Sequence, residues 1–318
     1  MIVTADKSRS DGVYFRVCEM IKTDLPILLL SRVEELDINE LVYQLKGQKY
    51  IIFDVIENGW DNDFKETLIV GKNTLAFFNG IGWERLHEFV RDNPPFLYFK
   101  RELLKIDATE TLLPCEYPNF QPRYELQTKE EFNNRPISAF NYWGRSHEAR
   151  LMLHGEIWKH AAKKGYTVCD NIYQLNHFMH HEQGNKNKWV TFHMPFYSRV
   201  EMSEIMKVNA MSKVSISLPG CGIKCFRSTG ESIVNSVCVL PEDELAYSYP
   251  LEHGVNCIKF SNNNDITGLK KEWQICEAVD EALQRNDLYD IYLNSYKAAE
   301  FYRIENYIQY IQNIINKA

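Results

Sequence analysis

The stretch Ser212–Leu240, SKVSISLPGCGIKCFRSTGESIVNSVCVL, concentrates residue types that handle phosphate. An apolar, β-branched run, Val214–Leu218, stops at Pro219-Gly220-Cys221-Gly222, and helical spacing begins near Phe226. Gly220 and Gly222 carry no Cβ, so backbone N–H groups there can approach an anion, and a following helix N-terminus adds partial positive charge. Lys224 and Arg227 add cations, and the planar fork of Arg227 suits two phosphate oxygens at once. Glu231 lies one helical turn after Arg227, where a carboxylate can accept bonds from vicinal hydroxyls such as those of a ribose. The plainer alternative is an ordinary strand-to-helix turn with a surface Arg227–Glu231 pair.

Other groupings suggest other chemistry. Asp61-Asn62-Asp63 is a D-x-D triplet, the kind that can hold a metal–nucleotide complex. His177, His180 and His181, with Cys221 and Cys225, are zinc-ligand types, but they lack the tight spacings of structural zinc sites. Arg145 and His147 follow Gly144 at the end of a predicted strand, within reach of a ligand in the same loop layer.

These residues need a scaffold, and the apolar pattern supplies one. Lys49–Ile56, Asn73–Phe78 and Phe96–Phe99 read as buried strands, and Trp83–Arg91 has helical spacing between the last two. Ile106–Arg135 holds Pro114, Pro118 and Pro122 with little periodicity and reads as a connection between domains. The alternation then restarts. Strands are expected at Ile137–Tyr142, Tyr166–Cys169, Val214–Leu218 and Val237–Leu240. Helices are expected at His147–Lys164, Tyr197–Ala210, Leu269–Gln284 and Leu288–Ile315. The last carries an apolar stripe of Ile304, Tyr307, Ile308, Ile311, Ile314 and Ile315, suited to packing on the protein. Strands alternating with helices imply parallel sheets, whose ligands bind beyond the carboxyl ends of the strands. Candidate loops therefore follow Leu218, Tyr142 and a first strand near Ile2.

Composition sets outer bounds. The 318 residues are 45% hydrophobic and 25% charged, enough for sizeable cores. Net charge is −7, which argues against general nucleic-acid or anionic-membrane binding. No apolar run reaches the length of a membrane span, and MIVTADKSRSDG has no apolar segment of a secretory leader. The eight cysteines are scattered, so reduced, buried thiols in a cytoplasmic protein are expected.

The Ser212–Leu240 block resembles the C-terminal half of GT-B glycosyltransferases, nearest to the group-1-like set with the CgeB type and, more remotely, the exostosin type. Ser138–Arg150 is similar to the segment that opens the C-terminal domain in that family. Asp11–Arg16 resembles the Gly-containing first loop, Phe99–Leu103 the end of a late N-domain strand, and Ser248–Phe260 the segment before the final helices. The resemblance implies an α/β fold of two Rossmann-like domains facing a cleft. Residues 1–130 would form the acceptor-side domain and 131–318 the nucleotide-sugar domain with its C-terminal helices. It implies transfer of a sugar from a nucleoside-diphosphate sugar to a hydroxyl of a glycan or glycoconjugate. Gly12, Arg145, His147, Gly220, Gly222, Lys224, Arg227, Ser228 and Glu231 would hold the donor. Arg227 and Lys224 would also neutralise the diphosphate and assist its departure, so no cofactor or divalent metal is required. The E-x7-E pattern of retaining members is half present: Glu231 fits its second position, but Ile223 stands where the first glutamate would be. If the reaction inverts, Asp11 is the preferred base for the acceptor hydroxyl and Asp6 the next. Two alternatives stay open: a metal-dependent GT-A-type transferase using Asp61 and Asp63, and a GT-B scaffold that binds nucleotide or glycan without turnover.

Overall fold

A computed structural model describes residues 2–3, 12–30, 38–55, 83–120, 125–144, 157, 159–173, 202–218, 224, 235–261 and 269–318. Its first unit is built from β1 (Ile2–Val3), α1 (Gly12–Met20), β2 (Ile27–Leu30), α2 (Ile38–Leu45), β3 (Ile51–Asp54), α3 (Trp83–Asp92), β4 (Leu97–Lys100) and β5 (Leu112–Pro114). The strands form one parallel sheet in the order β1-β2-β3-β4-β5.

Every residue of β2, β3 and β4 is buried, which requires cover on both faces. Period-2 alternation divides the work. Leu28, Leu30, Ile52 and Tyr98 pack with Leu41, Leu45 and Val90 of α2 and α3. Ile27, Leu29, Phe53 and Phe99 pack with Tyr14 and Val17 of α1. The sequence pattern anticipated β3, α3 and β4, but β5 falls inside the expected connection. It has only three residues, ends on a proline and pairs with β4 alone, so little periodicity marks it.

The second unit follows α4 (Lys129–Asn133). It contains β6 (Ile137–Gly144), β7 (Val168–Tyr173), α5 (Met202–Ala210), β8 (Ser212–Ile216), β9 (Val237–Pro241), β10 (Ile258–Phe260), α6 (Leu269–Gln284), α7 (Leu288–Phe301) and α8 (Ile304–Lys317). All strand pairs are parallel and the order is β10-β9-β8-β6-β7. Val214, Ile216, Val237, Val239 and Ile258 share a core with Ile275 and Val279 of α6 and Ile291 and Tyr292 of α7.

The expected single helix Leu288–Ile315 is two. The chain leaves α7 at Tyr302, and Arg303 takes an extended ψ of 140° before α8. Asn119 fills the break. Its N–H donates to the Tyr302 carbonyl at 2.7 Å, and its own carbonyl accepts the Ile304 N–H at 3.0 Å. The kink sends α8 onto the first sheet. There Ile304, Tyr307, Ile311 and Ile315 join the cluster of Tyr14, Phe53 and Phe99, each burial worth roughly 1.5–3 kcal/mol. Cys238 and Leu240 of β9 enter the same cluster, so one apolar core runs through both units. Among the described residues no helix is long and apolar enough to cross a membrane. Burial raises the thiol pKa of Cys18 and Cys257 to about 12, and that of Cys115 further in the same direction, so all three stay protonated.

Arg135 pins the amino-terminal side of the second sheet. It is 7% exposed, and its guanidinium donates to the carbonyls of Ser212 and Asn235 and to Gln127 Oε1. The cation lies over the rings of Phe132 and Tyr292, at 4.6 and 4.8 Å from their centroids. Burial lowers its pKa to about 10. Arg135→Met strands both carbonyls and is expected to cost about 2–4 kcal/mol by urea unfolding. A loss below about 0.5 kcal/mol, the level of an ordinary surface substitution, would show that the cap carries little.

Candidate functional site

The second sheet reads β7-β6-β8-β9-β10, so the chain order reverses between β6 and β8. Ligands of such sheets sit outside the carboxyl ends of the strands at the reversal. β6 and β8 pair directly there, with Asn141 opposite Ile216. β6 ends on Gly144, which Arg145-Ser146-His147 follow in the sequence, and β8 is followed by Ser217-Leu218 and then Pro219-Gly220-Cys221-Gly222. Topology thus makes neighbours of the two strands that lead into the segments the sequence marks for a phosphate ligand.

Most of those side chains lie outside the described residues: Asp6, Asp11, Arg145, His147, Gly220, Gly222, Arg227, Ser228 and Glu231. So do Asp61, Asp63, His177, His180, His181, Cys221 and Cys225. Among the described residues no three His, Cys, Asp or Glu side chains gather as a metal site. Gly12 is the first residue of α1. The expected loop therefore ends there, and the start of α1 lies at the carboxyl ends of the first sheet, where Tyr14 meets Tyr117 with ring centroids 5.1 Å apart.

Lys224 is described, and its surroundings differ from the diphosphate contact expected of it. The residue is 2% exposed. Its Nζ donates to Glu116 Oε1 at 2.7 Å and approaches the Cys115 carbonyl at 3.5 Å. It also lies 4.6 Å from the centroid of the Tyr247 ring. The Lys224 backbone N–H donates to Glu102 Oε1 at 3.1 Å. Both carboxylates belong to the first unit, Glu102 just past β4 and Glu116 just past β5. The charge that spacing assigns to a ligand is balanced inside the protein.

Glu116 gathers further partners. It is fully buried, accepts the Ser248 N–H at 3.1 Å on Oε1, and takes the Tyr307 hydroxyl at 3.4 Å on Oε2. The same hydroxyl accepts the Glu116 N–H at 2.8 Å. Ser248 Oγ donates to the Pro114 carbonyl at 3.2 Å. Alongside, residues 103–105 run antiparallel to 244–246: Lys105 N–H meets the Glu244 carbonyl at 2.8 Å, and Ala246 N–H meets the Leu103 carbonyl at 2.7 Å. The residues that follow β4 and β5 therefore bond to those that follow β8 and β9, and the sheets turn their carboxyl ends toward one another. Spacing within the sequence carries no signal for this seam, because its partners are 108 and 132 residues apart.

Three solved structures are similar in fold over 96% of the chain. They are a GtfA/B complex (TM-score 0.57, 12% identity), TarM (0.51, 12%), and the pneumococcal O-GlcNAc transferase GtfA in complex with UDP and GlcNAc (0.51, 10%). The chain has a GT-B-like fold. It spans 59%, 57% and 59% of the length of those proteins, respectively. The sequence itself matches no protein-family model and no curated protein. At such identities the likeness is one of fold, the two Rossmann-like units that the family resemblance implies, built on the parallel sheets that the alternation of strands and helices suggests.

Glu102 is the electrostatically costly member of the seam. Burial pushes its carboxyl pKa up, and Asp243 adds to the shift; Arg101 and Lys224 pull the other way without cancelling it. A carboxyl whose pKa is raised by folding favours the native state at low pH, and that contribution is lost as pH rises through the folded value. The stability of the wild type relative to Glu102→Gln is therefore expected to fall as pH rises above the ordinary glutamate range. Urea unfolding of both proteins between about pH 4.5 and 8 measures the difference. A difference that is flat or rises with pH would contradict the shift.

Proposed function

We propose that this protein is a glycosyltransferase that binds a nucleoside-diphosphate sugar at the β6/β8 reversal of its second sheet and transfers the sugar to an acceptor hydroxyl. The observation that carries the reading is the pairing of β6 with β8 on a GT-B-like fold, because these are the strands that lead, in the sequence, into Arg145 and Pro219–Gly222. One protein of similar fold is an O-GlcNAc transferase bound to UDP and GlcNAc, which supports a UDP-type donor.

In this reading the N–H groups near Gly220 and Gly222 and the fork of Arg227 hold the diphosphate. Arg145 and His147 approach from the neighbouring strand end, Ser228 adds a hydroxyl, and Glu231 holds the ribose. Developing charge on the departing diphosphate is met by Arg227 and backbone dipoles, so the reaction proceeds without a divalent metal. Lys224 anchors the segment from within and leaves the phosphate contact to Arg227. Asp11, which directly precedes α1 in the sequence, accepts the proton of the acceptor hydroxyl. The acceptor is a glycan or glycoconjugate, and the setting is cytoplasmic.

Calorimetry with UDP, GDP, CDP and dTDP tests the site. At least one is expected to bind, and Glu231→Ala to weaken it by about 1–3 kcal/mol, the loss of a charged acceptor. Arg227→Ala is expected to weaken it at least as much and to abolish turnover of the matching nucleotide sugar, with EDTA leaving wild-type turnover intact. Binding unchanged in both variants would overturn the assignment. Binding without turnover would favour a non-catalytic scaffold, and manganese-dependent turnover would return Asp61 and Asp63 to consideration.

A further inference from the structure

We propose that Glu102 and Glu116 of the first unit are positioning residues for the donor site, gripping Lys224 by backbone and side chain together. The inference rests on the reading above only in taking the segment after β8 to be the donor segment.

Two features separate this grip from an ordinary buried ion pair. First, it has two points on one residue. The ammonium is held by Glu116 and the backbone N–H by Glu102, at 2.7 and 3.1 Å. A side-chain anchor alone leaves the chain free to turn about the Cα; a second bond on the N–H removes that freedom. Second, both carboxylates are themselves held. Glu116 is fixed by the Ser248 N–H and by Tyr307 of α8, and Glu102 lies 3.4 Å from Arg101 Nε. All the charged members are at most 2% exposed, so water does not compete for them.

Lys224 sits between Gly222 and Arg227 in the chain. Three residues extend by at most about 10 Å, so fixing Lys224 bounds where the Arg227 backbone can lie. The first unit thereby sets the geometry of a nucleotide site on the second. Donor affinity then depends on residues that never touch the donor.

The test uses the full chain with two readouts, amide hydrogen exchange and calorimetry with UDP. Glu116→Gln removes the charge that balances Lys224. Glu102→Ala removes the acceptor for the Lys224 N–H, and Glu102→Gln retains an oxygen there. Glu116→Gln and Glu102→Ala are each expected to speed exchange across residues 219–234 by about tenfold or more, with protection of β2 and β7 retained. Both are expected to weaken UDP by about fivefold or more, and Glu102→Gln to stay within about twofold of wild type on both readouts. Should Glu102→Ala fail to fold, Glu116→Gln decides by the same measurements. Unchanged exchange across 219–234, or equal acceleration everywhere, would overturn the grip. Local loosening with unchanged UDP affinity would overturn its role in positioning the donor. A wild type that binds no UDP refutes the UDP-donor reading instead, while exchange still judges the grip.

Discussion

The buried ion pair between Glu116 and Lys224 is the interaction on which the architecture turns. Removing two charges from water costs several kcal/mol per ion, and a bare pair rarely recovers that cost. Here the remaining valences are filled. The carboxylate also takes an N–H from Ser248 and a hydroxyl from Tyr307, and the ammonium lies over the Tyr247 ring. These groups come from four parts of the chain: Glu116 just past β5, Lys224 in the segment after β8, Tyr247 and Ser248 after β9, and Tyr307 in the last helix. Losing either charge would strand the other in an apolar seam.

The seam explains why α7 and α8 are separate helices. A straight continuation of α7 would carry Tyr307 and Ile311 away from the first sheet. The break at Tyr302–Arg303, filled by Asn119, lets α8 cross over and bring the Tyr307 hydroxyl to Glu116. The residue chain from Pro114 to Asn119 thus does two jobs within six residues. It ends a parallel strand, and it supplies the acceptors and donors that lock the second unit to the first. The carboxyl ends of both sheets face the same seam as a result, the arrangement a donor site on one unit and an acceptor on the other would need.

Much of this was legible in the sequence. The β-branched and aromatic runs located β3, β4, β6, β8 and β9 to within two or three residues. The stripe on the last helix named the side chains that α8 buries. Much of what escaped detection shares one physical cause. β5 and β10 are three residues long and owe their conformation to pairing with β4 and β9, so local pattern says little about them. The helix break depends on Asn119, over 180 residues earlier. Glycines and an arginine around Lys224 suggest a ligand contact, but the partners it has in the fold, Glu102 and Glu116, lie more than 100 residues away. Adjacent sequence shows which residues can meet a phosphate, and only the fold shows which of them are already engaged. The assignments of Arg227, Glu231, Arg145, His147 and Asp11 rest on spacing, topology and family resemblance.

The most direct measurement of the central interaction is a double-mutant cycle on unfolding free energy with Glu116→Gln, Lys224→Met and the two together. A charge pair that joins the units requires each single change to cost about 3–5 kcal/mol, because it leaves a buried charge unpaired. The double variant should then cost clearly less than the sum, by about 1.5 kcal/mol or more. Additive losses, or single losses under about 1 kcal/mol, would show that the units are joined by their shared apolar core and not by this pair.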